Sequence, residues 1–213
     1  MDGLHSIVRF AARRGGRRNT SELPMMEPDP VDLPGPWLRG FALGMHSQDS
    51  DEGALTTAGE LLDRFKYGGQ RDTLRIIAPA MARVMVSLPE YAGVHVVLHV
   101  PSTPRRAAVE PALDLAKALS KRLRIPWLPR FIARTREVKP QKDIASWEDK
   151  QRNVRGAFRV RRPEFVRGRK VLLVDDVYDS GATLEEACRV LKEAGVAEVV
   201  VATVTTTRYR RGA

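Results

Sequence analysis

One cysteine, Cys188, stands in a chain of 213 residues, and a lone thiol can neither close an internal disulfide nor assemble a zinc cluster. This usage fits a reducing, cytoplasmic setting. Long apolar runs are also missing. None approaches the roughly 18 residues that a membrane-spanning helix needs, so a soluble protein without a membrane partner is expected. Aromatic residues make up only 6% of the chain, and Trp37, Trp127 and Trp147 are too dispersed to form a stacking platform. The four histidines lack metal-ligand spacing. His95 and His99 share one strand face with Val97, where packing is the expected role. No internal repeat is present, which excludes solenoid and propeller architectures.

Acidic residues are scarce in the middle of the chain. From Pro101 to Lys170 twenty Lys/Arg stand against seven Asp/Glu, whereas from Val171 onward there are five against seven. A concentrated basic middle beside an acidic C-terminal loop suggests an anionic partner, either nucleic acid or a phosphorylated small molecule, unless it is simply a solvated surface. Residues 1–36 differ from the rest. Arg9, Arg13, Arg14, Arg17 and Arg18 surround Gly15-Gly16, and five prolines follow between Pro24 and Pro36. Such a composition buries little and predicts a flexible arm, with one globular domain over 37–213.

What is present is a regular alternation. Leu61, Leu62 and Phe65 predict a helix stopped by Gly68-Gly69, and Leu74, Ile77, Ala78, Met81, Met85 and Leu88 recur at helical spacing. VHVVLHV (94–100) predicts a strand, 109–123 a helix, and IPWLPRFI (125–132) an extended segment. The polar stretch 135–155 reads as a long loop, a common form for a functional lid. AFRV (157–160), KVLLV (170–174) and AEVVVATVTTT (197–207) read as strands. A helix spans Thr183 to Ala194, with Cys188 on its apolar face and Gly195 as its stop. Strands alternating with helices predict an α/β fold with a mostly parallel central sheet flanked by helices. KVLLV is apolar on both faces, as a central parallel strand must be.

That strand runs directly into chemistry: VLLVDDVYDSGAT, Val171 to Thr183. Asp175 and Asp176 fall at the carboxyl end of a parallel strand, where α/β sheets bind ligands. Two adjacent carboxylates repel unless something uses them, and a sugar diol or a hydrated cation would. Asp179, Ser180, Gly181, Ala182 and Thr183 then open a helix. Small residues there allow backbone N–H groups to approach an anion, and the helix N-terminus favours negative charge. Acceptors for a diol followed by donors for a phosphate describe a ribose 5-phosphate.

At these residues the chain resembles the type I phosphoribosyltransferases, whose fingerprint is an apolar strand, an acidic pair and a Thr/Ser-Gly-x-Thr turn before a helix. GELLDRFKYGG (59–69), the loop with Gln141, and RNVRGAF (152–158) further resemble the ComF family of competence-associated phosphoribosyltransferases. The chain departs from that family in lacking the four-cysteine zinc module. It has STPRRAAVEP (102–111) where Arg-Gly-Phe-Asn-Gln is usual, and Asp179 where Thr is usual. The resemblance implies the type I phosphoribosyltransferase fold with a mobile lid, and phosphoribosyl pyrophosphate as ligand. It places the ribose hydroxyls on Asp175 and Asp176, and the 5-phosphate on Asp179 to Thr183. The pyrophosphate falls to Ser102, Thr103, Arg105 and Arg106, with Lys66 and Tyr67 lining the site. Arg136, Lys139, Lys142, Lys150 and Arg152 are the candidate lid cations, Lys139 and Lys142 foremost. Magnesium would be held through substrate oxygens, with no metal site built from protein ligands alone. The acceptor is unknown, and a purine-like nucleobase follows from the resemblance of Asp179 to the 6-oxopurine enzymes. Asp179 is then either the proton acceptor or the cap of the following helix. A non-enzymatic protein of the same fold, acting in DNA uptake or as a nucleic-acid-binding regulator, is the alternative. The oligomeric state is not set by the sequence, and a homo-oligomer stays open.

Overall fold

The computed structural model describes residues 26–48, 54–102, 110–144 and 146–207. Its centre is a sheet in the order β1-β2-β8-β6-β3. Strands β2 (Arg39–Met45), β8 (Glu198–Thr206), β6 (Lys170–Val174) and β3 (Val96–His99) are parallel to one another. Only β1 (Val31–Asp32) runs antiparallel, against β2. The carboxyl ends of four parallel strands therefore meet along one edge, carrying His46, Thr207, Asp175 and Ser102 close to their strand ends.

The expected doubly apolar character of β6 is borne out. Leu172 and Val174 join one core with α1 (Thr57–Lys66), α2 (Leu74–Ser87) and α3 (Pro111–Leu123), while Val171 and Leu173 join a second core with α5 (Ala182–Glu193). Cys188 lies in that second core, where burial pushes its thiol up to about 12. Of the histidines foreseen on one face, His99 is buried against Trp127. His95 precedes the strand and accepts from the Lys170 amide.

Several boundaries move. The domain does not begin at Trp37. Met26 and Leu33 are buried, β1 belongs to the sheet, and the Met26 carbonyl accepts from Arg83 at 2.9 Å. Residues 26–36 are therefore part of the fold, and the Arg-rich stretch before them lies outside the described residues. β2 was not foreseen from its sequence. The stretch 135–155 is not a structureless loop, because it contains α4 (Trp147–Val154), capped by Ser146, whose hydroxyl accepts from the Asp149 amide. It springs from a two-stranded hairpin, β4 (Ile132–Arg134) against β5 (Phe158–Val160), which takes in only the end of the predicted extended segment 125–132. Among the described residues, no helix is long and apolar enough to cross a membrane.

Candidate functional site

The acidic pair sits in a gap in a strand. β6 pairs with β8 up to Val174↔Ala202, and the same register resumes in β7 (Val177–Tyr178) at Val177↔Thr205. Between them the ladder opens, and the Asp176 carbonyl takes the amides of both Val204 and Thr205. The freed amides find acceptors in the carboxylates: Asp176 N–H donates to Asp175 Oδ1 and Val177 N–H to Asp176 Oδ1, each at 2.9 Å. Each carboxylate is thus oriented by a backbone hydrogen bond to its Oδ1.

Two cations share the charge of the pair. Lys66, in the last turn of α1, reaches Asp176 Oδ2 at 2.8 Å. Burial works against the Lys66 ammonium, yet the charge and hydrogen bond of Asp176, aided by Asp175, outweigh it and raise its pKa. Arg134, at the root of the hairpin, donates Nε–H to the Ser102 carbonyl at 3.1 Å. Its guanidinium lies 5.1 Å from the Phe158 ring centroid. Burial lowers its pKa, and the nearby Asp175 works against that. Asp175 itself is pushed well above the ordinary carboxyl range by desolvation and by the adjacent Asp176 charge.

Lys66 arrives there because α1 is fastened to the end of β2. The Thr56 hydroxyl donates to the Met45 carbonyl at 2.5 Å and accepts the Gly59 amide at 3.1 Å. A Cβ on Gly59 would lie 2.1 Å from the His46 carbonyl oxygen, so only glycine lets the helix come this close. Next to it His46 lies between Thr205 Oγ1 (3.3 Å) and Asp63 Oδ1 (3.9 Å).

The turn that follows leads directly into α5. Gly181 has φ +83° and stands at the N-cap of α5. The amides of Ala182, Thr183 and Leu184 have no acceptor within the helix, though Ala182 N–H has a long contact, 3.4 Å, to the buried Ser180 hydroxyl. Asp179 does not cap this helix. Its Oδ2 takes Lys150 of α4 at 2.5 Å and its Oδ1 takes the Thr207 hydroxyl at 2.8 Å. The capping alternative is overturned, because the carboxylate points to the polar stretch and to the end of β8 instead of back over its own chain.

Of the candidate lid cations whose side chains are described, Lys150 is the one in contact with the turn from Asp179 to Thr183. Arg136 donates to the carbonyls of Asn153 and Arg155, Arg152 pairs with Asp149, and Lys139 is exposed, its backbone tied to Asn153. The side chain of Lys142 and the pyrophosphate-loop candidates Thr103, Arg105 and Arg106 lie outside the described residues. Ser102 is present through its carbonyl to Arg134. Arg134, Thr207 and the contact of Gln141 Nε2 with Thr183 Oγ1, long at 3.4 Å, were not foreseen. Arg134 is one of many arginines in a basic stretch, and nothing local distinguishes it.

The chain matches the phosphoribosyl transferase domain family over residues 102–212, a stretch that contains the acidic pair, the turn from Asp179 to Thr183 and the hairpin with its insertion. It is 36% identical to competence protein F of Haemophilus influenzae over 41% of this chain and 38% of that protein. It is 34% identical to the DNA utilization protein YhgH of Escherichia coli K12 over 41% of this chain and 37% of that one. These matches thus span well under half the length of the curated relatives. Adenine phosphoribosyl transferase of Trypanosoma brucei superposes with a TM-score of 0.48 at 13% identity, over 78% of this chain and 71% of that one. With the strand, the acidic pair and the turn all inside the matched half, the chain belongs to the phosphoribosyl transferase domain family and is a ComF-like member of it.

Proposed function

We propose that the protein binds phosphoribosyl pyrophosphate and transfers its phosphoribosyl group to a nitrogen acceptor of the nucleobase type. The observation that carries this reading is the sequence of groups along one sheet edge: two backbone-oriented carboxylates, then an amide-lined turn at the start of α5. Asp175 and Asp176 accept the ribose hydroxyls. The first-turn amides of α5 and the Thr183 hydroxyl take the 5-phosphate. Ser102, whose carbonyl accepts from Arg134, faces the pyrophosphate.

In the reaction the acceptor nitrogen forms a bond to ribose C1 as the C1–O bond breaks, and pyrophosphate leaves with the electron pair. The acceptor proton must go to a base, and Asp179, at the start of the turn, is the carboxylate we assign to it. Both of its oxygens already accept hydrogen bonds, so proton transfer to it requires an exchange of partners. The hairpin insertion excludes water, which would otherwise hydrolyse the activated sugar. Among the described residues no cluster of three ligating side chains is present. The hard oxygens of Asp175 and Asp176 fit a magnesium ion that keeps its waters and takes most of its ligands from the substrate. Such an ion, when bound, offsets the charge of the leaving pyrophosphate.

Calorimetry with phosphoribosyl pyrophosphate and magnesium tests the reading. Asp175→Asn with Asp176→Asn should remove binding while circular dichroism stays unchanged, and unchanged affinity would overturn it. A second reading, nucleic-acid contact, has its own observation. Arg130, Arg161 and Arg162 line a concavity of about 320 Å³ with Phe165, whose side chain is 46% exposed, and the Escherichia coli relative is named for DNA utilization. Cations with an exposed ring suit a single strand. Replacing the three arginines by Ala should flatten the salt dependence of oligonucleotide binding by about 0.7 in slope per lost phosphate contact. An unchanged slope would remove this surface from consideration.

A further inference from the structure

A carboxylate beside a phosphate-binding turn faces a dianion, and something must offset the repulsion. Asp179 carries that difficulty, and Lys150 meets it. Lys150 is only 5% exposed, far less than a lysine on a polar helix ordinarily is. Its Nζ lies 2.5 Å from Asp179 Oδ2, next to the residues that open α5. The ammonium has three donors, so a phosphate oxygen can join Asp179 around the same nitrogen.

The position of Lys150 does not depend on Asp179 alone. Gln151, the next residue, donates to Glu185 of α5 at 2.5 Å. The Gly156 amide, just past α4, donates to Glu186 at 2.8 Å, and Glu186 is itself held by Arg189. α4 is thus moored along α5, the helix whose N-terminus forms the turn, and this mooring carries the Lys150 ammonium to the turn. The same contact contains an unfilled place. Gln141 Oε1 is buried and has no hydrogen-bond partner among the described residues, although its amide nitrogen faces Thr183.

We infer that Lys150 is a 5-phosphate-binding residue delivered from the hairpin insertion, and that Asp179 holds its ammonium at the turn between ligands. The inference rests on the reading of residues 179–183 as a phosphate site. It gives the insertion a defined function: occupancy of the turn by phosphate is sensed by α4 through one ammonium group. Phosphate arriving in the turn shares Lys150 with Asp179, adds a tie between α4 and α5, and tightens the insertion over the ribose.

The test uses the full chain, with ribose 5-phosphate and inorganic phosphate as probes and ribose as the phosphate-free control. Calorimetry reads affinity, and hydrogen exchange of residues 147–154 reads the response of α4. Lys150→Gln should weaken ribose 5-phosphate by about 10-fold or more, the effect of losing one charge-assisted contact, and should abolish the protection of α4 by the probe. Lys150→Met, whose apolar stem suits the buried position, should do the same if the Gln variant folds poorly. Asp179→Asn should bind more tightly than the parent, because the repulsion is gone and the ammonium remains. The decisive comparison is Lys150→Gln with Asp179→Asn against Asp179→Asn alone. A further loss of about 10-fold shows contact between Lys150 and phosphate. Equal affinity would mean that Lys150 merely neutralises Asp179, which overturns the inference and leaves the phosphate site standing. Failure of the parent protein to bind either phosphate probe would instead overturn the phosphate site and the inference with it.

Discussion

Replacing Lys66 by Met should reveal what two adjacent carboxylates cost this fold. The substitution keeps an apolar stem against the surface of α1 and removes only the ammonium. Lys66 and Asp176 side chains are 21% and 19% exposed and lie 2.8 Å apart. At an effective dielectric of about 20 the gross attraction at that distance is about 6 kcal/mol. Desolvation of both groups offsets much of it, but removing one partner leaves the other charge desolvated. Breaking a fully buried pair costs about 3–5 kcal/mol, and with one fifth of each side chain in water about 2–3 kcal/mol is expected here. For a domain of this size that is roughly 5–10 °C in Tm. The pKa of Lys66 is raised, so its contribution is complete at neutral pH and fades only as pH rises above the ordinary lysine range. In the Met variant Asp175 and Asp176 confront each other, so the penalty should shrink as pH falls and the carboxyls protonate. Urea denaturation at pH 7 and pH 4 measures both effects. Asp176→Asn in the Met background should recover most of the loss, giving a coupling of about 1.5 kcal/mol or more. Additivity of the two substitutions within about 0.5 kcal/mol would refute the account of a charge pair that Lys66 holds together.

Two further perturbations test other parts of the site region. His99 is 2% exposed, and burial lowers its pKa to about 4, with Glu110 opposing and Arg130 assisting. A neutral buried His stabilises fully above the unfolded pKa of about 6.5, and that contribution is lost as pH falls towards 4. About 3 kcal/mol is at stake over that window. His99→Leu should therefore flatten the urea midpoint between pH 6.5 and 4 relative to the parent, and parallel pH profiles would contradict the assignment. Gly181→Ala should cost about 1–3 kcal/mol from backbone strain at φ +83°, and more where its Cβ meets the Tyr178 hydroxyl at 2.7 Å. That hydroxyl donates to the Pro34 carbonyl, so both Tm and phosphate affinity should fall, and a Tm within 1 °C of the parent, about the error of a melt, would refute the strain.

The segment from Val171 to Thr206 was legible because its information is local. β6 is apolar at every position after Lys170 and α5 shows one apolar face with a glycine at each end, so the strand, turn, helix and strand follow from periodicity alone. The acidic pair and the turn at the start of α5 could be placed for the same reason, since all seven residues lie within nine positions of one another. β2 could not be read. Arg39–Met45 is RGFALGM, whose two glycines and one alanine have little preference for a strand, and pairing with β8 decides its conformation. α4 could not be read either, because its polar sequence lacks an apolar stripe and its seat is built from single contacts, Lys150 with Asp179 of the turn and Gln151 with Glu185 of α5. The same limit governs the cations. Lys66 is 110 positions from Asp176, and Lys150 is 29 from Asp179. A charge pair at such separation leaves no mark on periodicity or composition. The sequence determined by itself where the acidic pair and the glycine turn stand. Which lysines answer them was decided only when parallel strands brought their carboxyl ends to one edge and the hairpin laid α4 along α5, because Coulomb attraction depends on distance in space and not along the chain.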